Sequence, residues 1–249
     1  MLRLITLMTD FGTADGYAAE MKGLLYARVP DATIVDVSHD IPAHDVEAAR
    51  LALERYWRDF PPSTVHLVVV DPGVGSSRAA IAVESDHRLL VGPDNGVLSP
   101  ALLVPDARVV ELPEPPGASA TFHGLDLFAP VAAALAIGTP IEQVGTPFGR
   151  AIVRRSPEPQ RRTDGALVGE IVTIDRFGNA ITNLPGPKGP ATLECAGRHL
   201  AVVRTYADVA PGEATALVGS GGSIEIAVRD ASAADHLGLS RGLTVVLRS

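Results

Sequence analysis

Two separated fragments, Asp71-Pro72-Gly73-Val74-Gly75-Ser76-Ser77-Arg78 and Thr121-Phe122-His123-Gly124, place a carboxylate, a guanidinium and an imidazole among turn glycines. Together such side chains supply an acceptor, a fixed fork of donors and a titratable group, enough to hold and orient one water molecule. The first fragment follows the apolar run Val65-His66-Leu67-Val68-Val69-Val70, which reads as a buried strand, so Asp71 falls where a strand ends. Open α/β sheets bind ligands at that edge. Chemistry on a small molecule is the expectation. Each member also has a bland reading. Pro72-Gly73 suits the centre of a type II turn, Arg78 alone is a solvated charge, and His123 alone is a satisfied structural histidine.

Asp10, in Thr9-Asp10-Phe11-Gly12, ends another apolar run and brings a second carboxylate to the same kind of edge. A carboxylate there can accept both hydroxyls of a ribose, or it can cap a helix or turn. Asp10-Phe11-Gly12 is not read as a kinase motif, because the phosphate-covering glycine loop and the His-Arg-Asp catalytic loop are missing upstream. Gly73 and Gly75 make neither a dinucleotide fingerprint nor a P-loop. The segment Asp36-Val37-Ser38-His39-Asp40-Ile41-Pro42-Ala43-His44-Asp45 raises a metal-dependent hydrolase using His39, Asp40, His44 and Asp45. It lacks a recognised ligand spacing, and Asp45 suits the cap of the next helix, so the structural reading is favoured and no metal site is assigned. Pro93-Asp94-Asn95-Gly96 reads as a hairpin-type turn. In the second half, Asp175 can pair with an ammonium, Phe177 can stack on a flat base and the Asn179 amide can read its edge. The glycines of Val218-Gly219-Ser220-Gly221-Gly222-Ser223 permit close backbone approach to a ligand, or a flexible β-turn.

The elements that must position these residues change character along the chain. Strands at 3–8, 33–37 and 64–70 alternate with helices near 15–25 and at 45–57, the second carrying Val46, Ala49, Leu53 and Trp57 on one face. Tyr17, Met21, Leu24 and Leu25 recur at helical spacing in the first. Such alternation predicts a mainly parallel sheet covered on both faces. Short β segments at 79–84 and 88–92 follow, then an Ala-rich helix over 126–137 stopped by Gly138-Thr139-Pro140. Beyond a proline-rich, basic stretch, β-like runs at 168–174, 191–195, 199–204, 215–218, 223–228 and 243–248 alternate with Gly and Pro turns. The expectation is an N-terminal α/β domain over 1–150, a linker over 151–166 and a small C-terminal β-barrel or sandwich domain over 167–249.

Bulk properties narrow the partners. A net charge of −8 over 249 residues argues against nucleic acid, which calls for a basic patch. The single cysteine, Cys195, excludes an intrachain disulfide and a thiolate cluster. The start, Met1-Leu2-Arg3-Leu4-Ile5-Thr6-Leu7, reaches Thr9-Asp10 without a long apolar core, and no apolar run approaches bilayer length. A cytoplasmic protein without membrane contact is expected.

With these residues in view, the chain resembles the S-adenosyl-L-methionine (SAM) hydrolases (adenosine-forming), or SAM hydroxide adenosyltransferases, relatives of the SAM-dependent fluorinase and chlorinase. The resemblance runs along nearly the whole chain. It rests on Thr9-Asp10-Phe11-Gly12, Ser38-His39-Asp40-Ile41-Pro42, Val70-Asp71-Pro72-Gly73-Val74-Gly75, Pro93-Asp94-Asn95-Gly96, Thr121-Phe122-His123-Gly124, Asp175-Arg176-Phe177-Gly178-Asn179 and Gly219-Ser220. It implies an α/β domain, a C-terminal β-barrel and a homotrimer in which SAM lies between one subunit's N-terminal domain and its neighbour's C-terminal domain. Carried over by motif, Asp71, Arg78 and His123 hold the attacking water or hydroxide and Asp10 the ribose hydroxyls. Asp175 and Ser220 hold the methionine end, Phe177 and Asn179 contact the adenine, and backbone near Val228 and Ala231 reads the adenine edge. No cofactor is implied, SAM being the substrate. Leu125 stands where the family pattern has an arginine. A halogenase is expected to carry Tyr-type and Ser-type residues where this chain has Asp71 and Gly124, so hydrolysis to adenosine and methionine is the reading. A halide transferase and a non-catalytic SAM or adenosine sensor are the alternatives.

Overall fold

The structure, a computed structural model, describes residues 3–248. Two compact units divide the chain, one ending at Arg154 and the other beginning at Arg155. In the first, β1 (Leu4–Thr9), α1 (Tyr17–Arg28), β2 (Thr33–Ser38), α2 (Val46–Tyr56) and β3 (Val65–Val69) alternate as the periodicity predicts. Then come β4 (Ala80–Ser85), β5 (Arg88–Pro93), α3 (Ser99–Leu102), β6 (Arg108–Glu111), α4 (Ala129–Ala136) and β7 (Thr146–Pro147). The sheet order is β2-β1-β3-β5-β4-β6-β7. Pairings from β2 to β5 are parallel, while β4, β6 and β7 extend the sheet antiparallel.

β1 and β3 are buried along their whole length, as strands covered on both faces must be. On one face Met21, Leu25, Phe128 and Ala132 pack on Ile5, Leu7 and Leu67. On the other the α2 stripe of Val46, Ala49, Leu53 and Trp57 meets Met8, Val68 and Ile81. Asp45 caps α2 by accepting from the Ala48 N–H at 2.9 Å. The α1 stripe is narrower than its spacing implies. Met21 and Leu25 are buried, but Tyr17 is 47% exposed, because the helix begins at the sheet edge, where Tyr17 meets Phe11 and Phe122 edge-on.

The hairpin of this unit falls elsewhere than expected. The β4–β5 hairpin turns at Asp86 and His87, both with positive φ (47° and 60°), as a type I′ turn requires. Pro93-Asp94-Asn95-Gly96 makes no hairpin. It leads from β5 into α3, and Asn95 Nδ2 donates to the Val70 carbonyl at 2.9 Å, tying down the end of β3. The Ala-rich helix is entered through a π-helical turn, Gly124–Phe128.

The second unit consists of β8 (Gln160–Arg161), β9 (Leu167–Ile174), β10 (Ala180–Pro185), β11 (Thr192–Cys195), β12 (Arg198–Val203), β13 (Ala214–Val218), β14 (Ser223–Val228), α5 (Ala233–Leu237) and β15 (Thr244–Arg248). The order β10-β14-β13-β12-β11-β15-β9 closes on itself because β9 pairs back with β10, and β8 adds to β9. The result is a barrel whose interior is filled by Ile171, Leu184, Leu193, Ile226 and Val245 among others. Closure leaves no unpaired edge within the barrel. Among the described residues no helix is long and apolar enough to cross a membrane.

Candidate active site

Strand pairing decides where the acids emerge. β1 runs parallel to β3 with Thr9 opposite Val69, so Asp10 and Asp71 both leave the sheet at the carboxyl end of neighbouring strands. The chain after Asp71 folds tightly: Val74 N donates to Asp71 O, and both the backbone N–H and the hydroxyl of Ser76 donate to Gly73 O. That loop returns Arg78 over Asp71. Arg78 Nε donates to Asp71 Oδ1 at 3.0 Å and Nη2 to Oδ2 at 2.5 Å, a forked charge-assisted pair. Nη2 also lies 2.9 Å from His123 Nδ1. The side chains of Asp71, Arg78 and His123 are only 5%, 10% and 5% exposed. The three residues singled out in sequence therefore form one bonded, desolvated group, where electrostatic interactions are stronger than in water.

Neighbours fix that group. The Phe128 ring, carried by the π-helical turn, lies 5.2 Å from the Arg78 guanidinium carbon in a cation–π contact. Gly75 has φ +75°, and a Cβ there would stand 2.5 Å from the Ala120 carbonyl, so only glycine lets the loop lie against the segment leading to His123. Gly124 is similarly close-packed, its Cβ position 3.1 Å from Phe122 and 3.2 Å from Met21. Asp94 is buried and accepts from Ile152 N at 2.7 Å. Burial pushes its carboxyl above the ordinary range, against the pull of that hydrogen bond and of Arg78.

Asp10 accepts from the His44 backbone N–H at 2.8 Å, with His44 at φ 67°. Its loop is braced by Thr9 Oγ1, 2.9 Å from His39 Nδ1, while His39 Nε2 lies 3.1 Å from Asp36 Oδ1. Lys22 Nζ donates to Asp36 Oδ2 at 2.7 Å. Burial works to raise the Asp36 carboxyl, but the bonds from Lys22 and His39 outweigh it and hold it below its usual value. The acids and histidines of 36–45 thus brace a loop and cap a helix. Among the described residues no group of three or more His, Cys, Asp or Glu is arranged to hold a metal ion.

In the barrel unit Asp175 organises a turn: Oδ1 accepts the backbone N–H groups of Phe177 and Asn179 at 2.9 Å each, and Oδ2 accepts Asn179 Nδ2 at 3.0 Å. Gly178, at φ +83°, presses against Ser232, the cap of α5. Phe177, Asn179, Val228 and Ala231 come together around a hollow of about 540 Å³, joined by Tyr206, Asp230 and Ser232. Phe177 is 77% exposed and Tyr206 41%. Burial, then the charges of Glu225 and Asp175, push the Tyr206 phenol up. Asp175 and Ser220 do not line the hollow. Sequence reasoning passed over Tyr206; its signal is an aromatic residue between Thr205 and Asp208, which form a capping box.

A family model described as SAM hydroxide adenosyltransferase N-terminal domain matches residues 5–145, and its C-terminal counterpart matches residues 169–246. An (R)-S-adenosyl-L-methionine hydrolase from Thermus thermophilus is 39% identical over 258 aligned positions, covering 99% of this chain and 100% of the relative. The crystal structure of an uncharacterized conserved protein from Thermotoga maritima superposes with a TM-score of 0.89 at 33% identity, covering 98% of this chain and 100% of that one. A fluorinase from Nocardia brasiliensis is more distant, 29% identical over 98% of this chain and 96% of its own length.

Proposed function

The chain belongs to the SAM hydroxide adenosyltransferase family, and on that premise we propose that it is an enzyme hydrolysing SAM at C5′ to adenosine and L-methionine. The observation that carries the reading is the buried Asp71–Arg78–His123 group at the carboxyl end of β3, beside Asp10 at the end of β1.

The chemistry follows from charge. A sulfonium makes C5′ electrophilic and methionine a neutral leaving group, so the protein has only to align a water with the C5′–S bond and exclude bulk solvent. Alignment of this kind lowers a barrier by about 7–11 kcal/mol in favourable cases. Asp71 and Arg78 orient the water. Asp10 holds the ribose hydroxyls, Asp175 and Ser220 the methionine end, and Phe177, Asn179, Val228 and Ala231 the adenine. No cofactor enters this scheme, because the substrate is already activated. A halide nucleophile is disfavoured by the Asp71 carboxylate and by the absence of a hydroxyl at Gly124, which the packing around its Cβ position explains.

The protein is further proposed to act in the cytoplasm as a homotrimer, each SAM shared between the N-terminal unit of one subunit and the barrel of its neighbour. The division of labour supports this, since the charged group belongs to one unit and the aromatic hollow to the other. Mixing Asp71→Ala and Phe177→Ala subunits is then expected to give, at low SAM, more activity than the two variants show separately. The test of the function is chromatography of SAM incubated with wild type and with Asp71→Ala, with and without chloride. Adenosine and methionine formed by the wild type, independent of chloride and much reduced in the variant, is the expected result. Intact SAM despite binding turns the reading to a sensor.

A further inference from the structure

The Arg78–His123 contact fixes a tautomer. A guanidinium offers donors only, so His123 Nδ1, 2.9 Å from Arg78 Nη2, has to present its lone pair. The imidazole is then neutral and carries its proton on Nε2. A proton on Nδ1 would set two N–H groups against each other. Nε2 is itself enclosed, with no hydrogen-bond partner. A buried donor without an acceptor is costly and calls for an explanation.

The acceptor at hand is Glu114. Its Oε1 lies 3.9 Å from His123 Nε2, and its side chain is 62% exposed, free to swing the remaining distance or to bridge through water. His123 and Glu114 both line a cavity of about 570 Å³ together with Glu111 and Gln143. The order of contacts is therefore Asp71, Arg78, His123, Glu114, with Asp71 at the strand end and Glu114 at the cavity. Neither His123 nitrogen has room for another proton. Asp71 does: Oδ2 accepts from both Nε and Nη2 of Arg78, but Oδ1 accepts only from Nε and keeps a lone pair.

We infer that His123 and Glu114 are positioning residues that hold Arg78 against Asp71, and that Asp71 alone accepts the proton of the attacking water. This rests on the hydrolase reading above. The step balances: a water O–H breaks with its proton passing to Asp71, the O–C5′ bond forms, and the C5′–S bond breaks with its electron pair remaining on sulfur. Asp71 returns the proton to solvent after the products leave.

Two measurements test this. The first needs no turnover: nitrogen-15 NMR of histidine-labelled protein near neutral pH, with His123 assigned by comparison with His123→Asn, reads the tautomer. Protonated Nε2 with bare Nδ1 is expected; an imidazolium or an Nδ1–H tautomer overturns the inference even if SAM is hydrolysed. The second compares kinetics. Asparagine offers an acceptor near the Nδ1 position but takes no proton near neutral pH, so His123→Asn is expected to lower kcat by no more than about tenfold, against the 10²–10⁴ typical of losing a general base. A loss in His123→Asn equal to that of Asp71→Asn, in protein with the wild-type circular dichroism and unfolding curve, overturns it. Should His123→Asn not fold, Glu114 decides: Glu114→Leu is expected to lower kcat severalfold at unchanged KM, with Glu114→Gln, which keeps an acceptor, restoring most of it. Equal activity of Glu114→Leu and wild type contradicts the role of Glu114. Absence of SAM turnover by the wild type refutes the hydrolase reading instead, and leaves the tautomer result standing.

Discussion

At the sheet edge of the first unit, Asp71, Arg78 and His123 are at least nine-tenths buried and bonded to one another, whereas on the barrel Phe177 is 77% exposed and the hollow beside it stands open. The difference fits the different work proposed for the two regions. Charges meant to act on a reacting water have to be oriented and desolvated before the substrate arrives, because reorganising them during the reaction would cost the barrier they are meant to lower. A flat base needs an aromatic face and a few polar groups, and these gain their burial only when the ligand covers them. The charged group is accordingly locked by a guanidinium fork, a cation–π contact and a glycine-tight loop. The barrel hollow is shaped by an exposed turn that the Asp175 carboxylate gathers and that Ala234 ties down by donating its N–H to the Gly178 carbonyl.

If that division is right, variants in the two regions separate in kinetics. The largest effect is expected at Asp71: Asp71→Asn should lower kcat by about 10²–10⁴, the usual range for a general base, while calorimetry still detects SAM binding. Equal losses in kcat and affinity would erase the distinction. Next comes Gly75→Ala, which forces a side chain into positive φ and against the Ala120 carbonyl. Displacement of Arg78 from His123 by about 1 Å is expected to cost about 10² in kcat with a small change in KM, measurable by steady-state assay. Phe177→Ala should act the other way, chiefly raising KM by the equivalent of about 1–3 kcal/mol of lost stacking, with a smaller change at saturating SAM. A kcat effect at Phe177 as large as that at Asp71 would break the comparison.

The smallest effect sharpens the contrast in stability rather than catalysis. Burial, with the charge of Arg88 second, holds the His66 imidazole down to about 3, while the barrel histidines His199 and His236 are exposed. The unfolded chain binds a proton at His66 near pH 6.5 and the folded chain does not, so stability is full above that pH and falls on acidification toward pH 3. The slope is at most about 1.4 kcal/mol per pH unit. Denaturant unfolding at pH 7.5 and 5.0 is expected to show the loss in the first unit, read by Trp57 fluorescence. An unchanged midpoint would contradict it.

Much of this was legible in the sequence, for physical reasons particular to each element. The runs ending at Asp10 and Asp71 are mostly apolar, and even Thr6, Thr9 and His66 within them are buried, because both strands are covered on both faces; that makes their ends easy to find. β10 escapes the pattern because a polar Thr182 sits among its buried positions while the apolar Ile181 is half-exposed beside Asn183, and it closes on Pro185, a weak signal for a strand that seals a barrel. The hairpin was misplaced because Asn95-Gly96 carries the stronger local signal, yet Val97 and Leu98 continue into the core and draw the chain into α3. The actual turn uses Asp86 and His87, whose side chains tolerate positive φ without glycine. Glu114 and Tyr206 belong to no motif. Their placement beside His123 and beside the hollow depends on which loops meet, and sequence spacing does not report that.

The most direct test of the central claim is a single turnover of SAM by the wild type in water enriched in oxygen-18, with mass analysis of the adenosine. Attack by a water that Asp71 activates puts the label on the adenosine 5′-oxygen in that first turnover. Unlabelled adenosine would mean that a protein oxygen, such as the Asp71 carboxylate, had bonded to C5′ instead, and the water-activating account would be wrong.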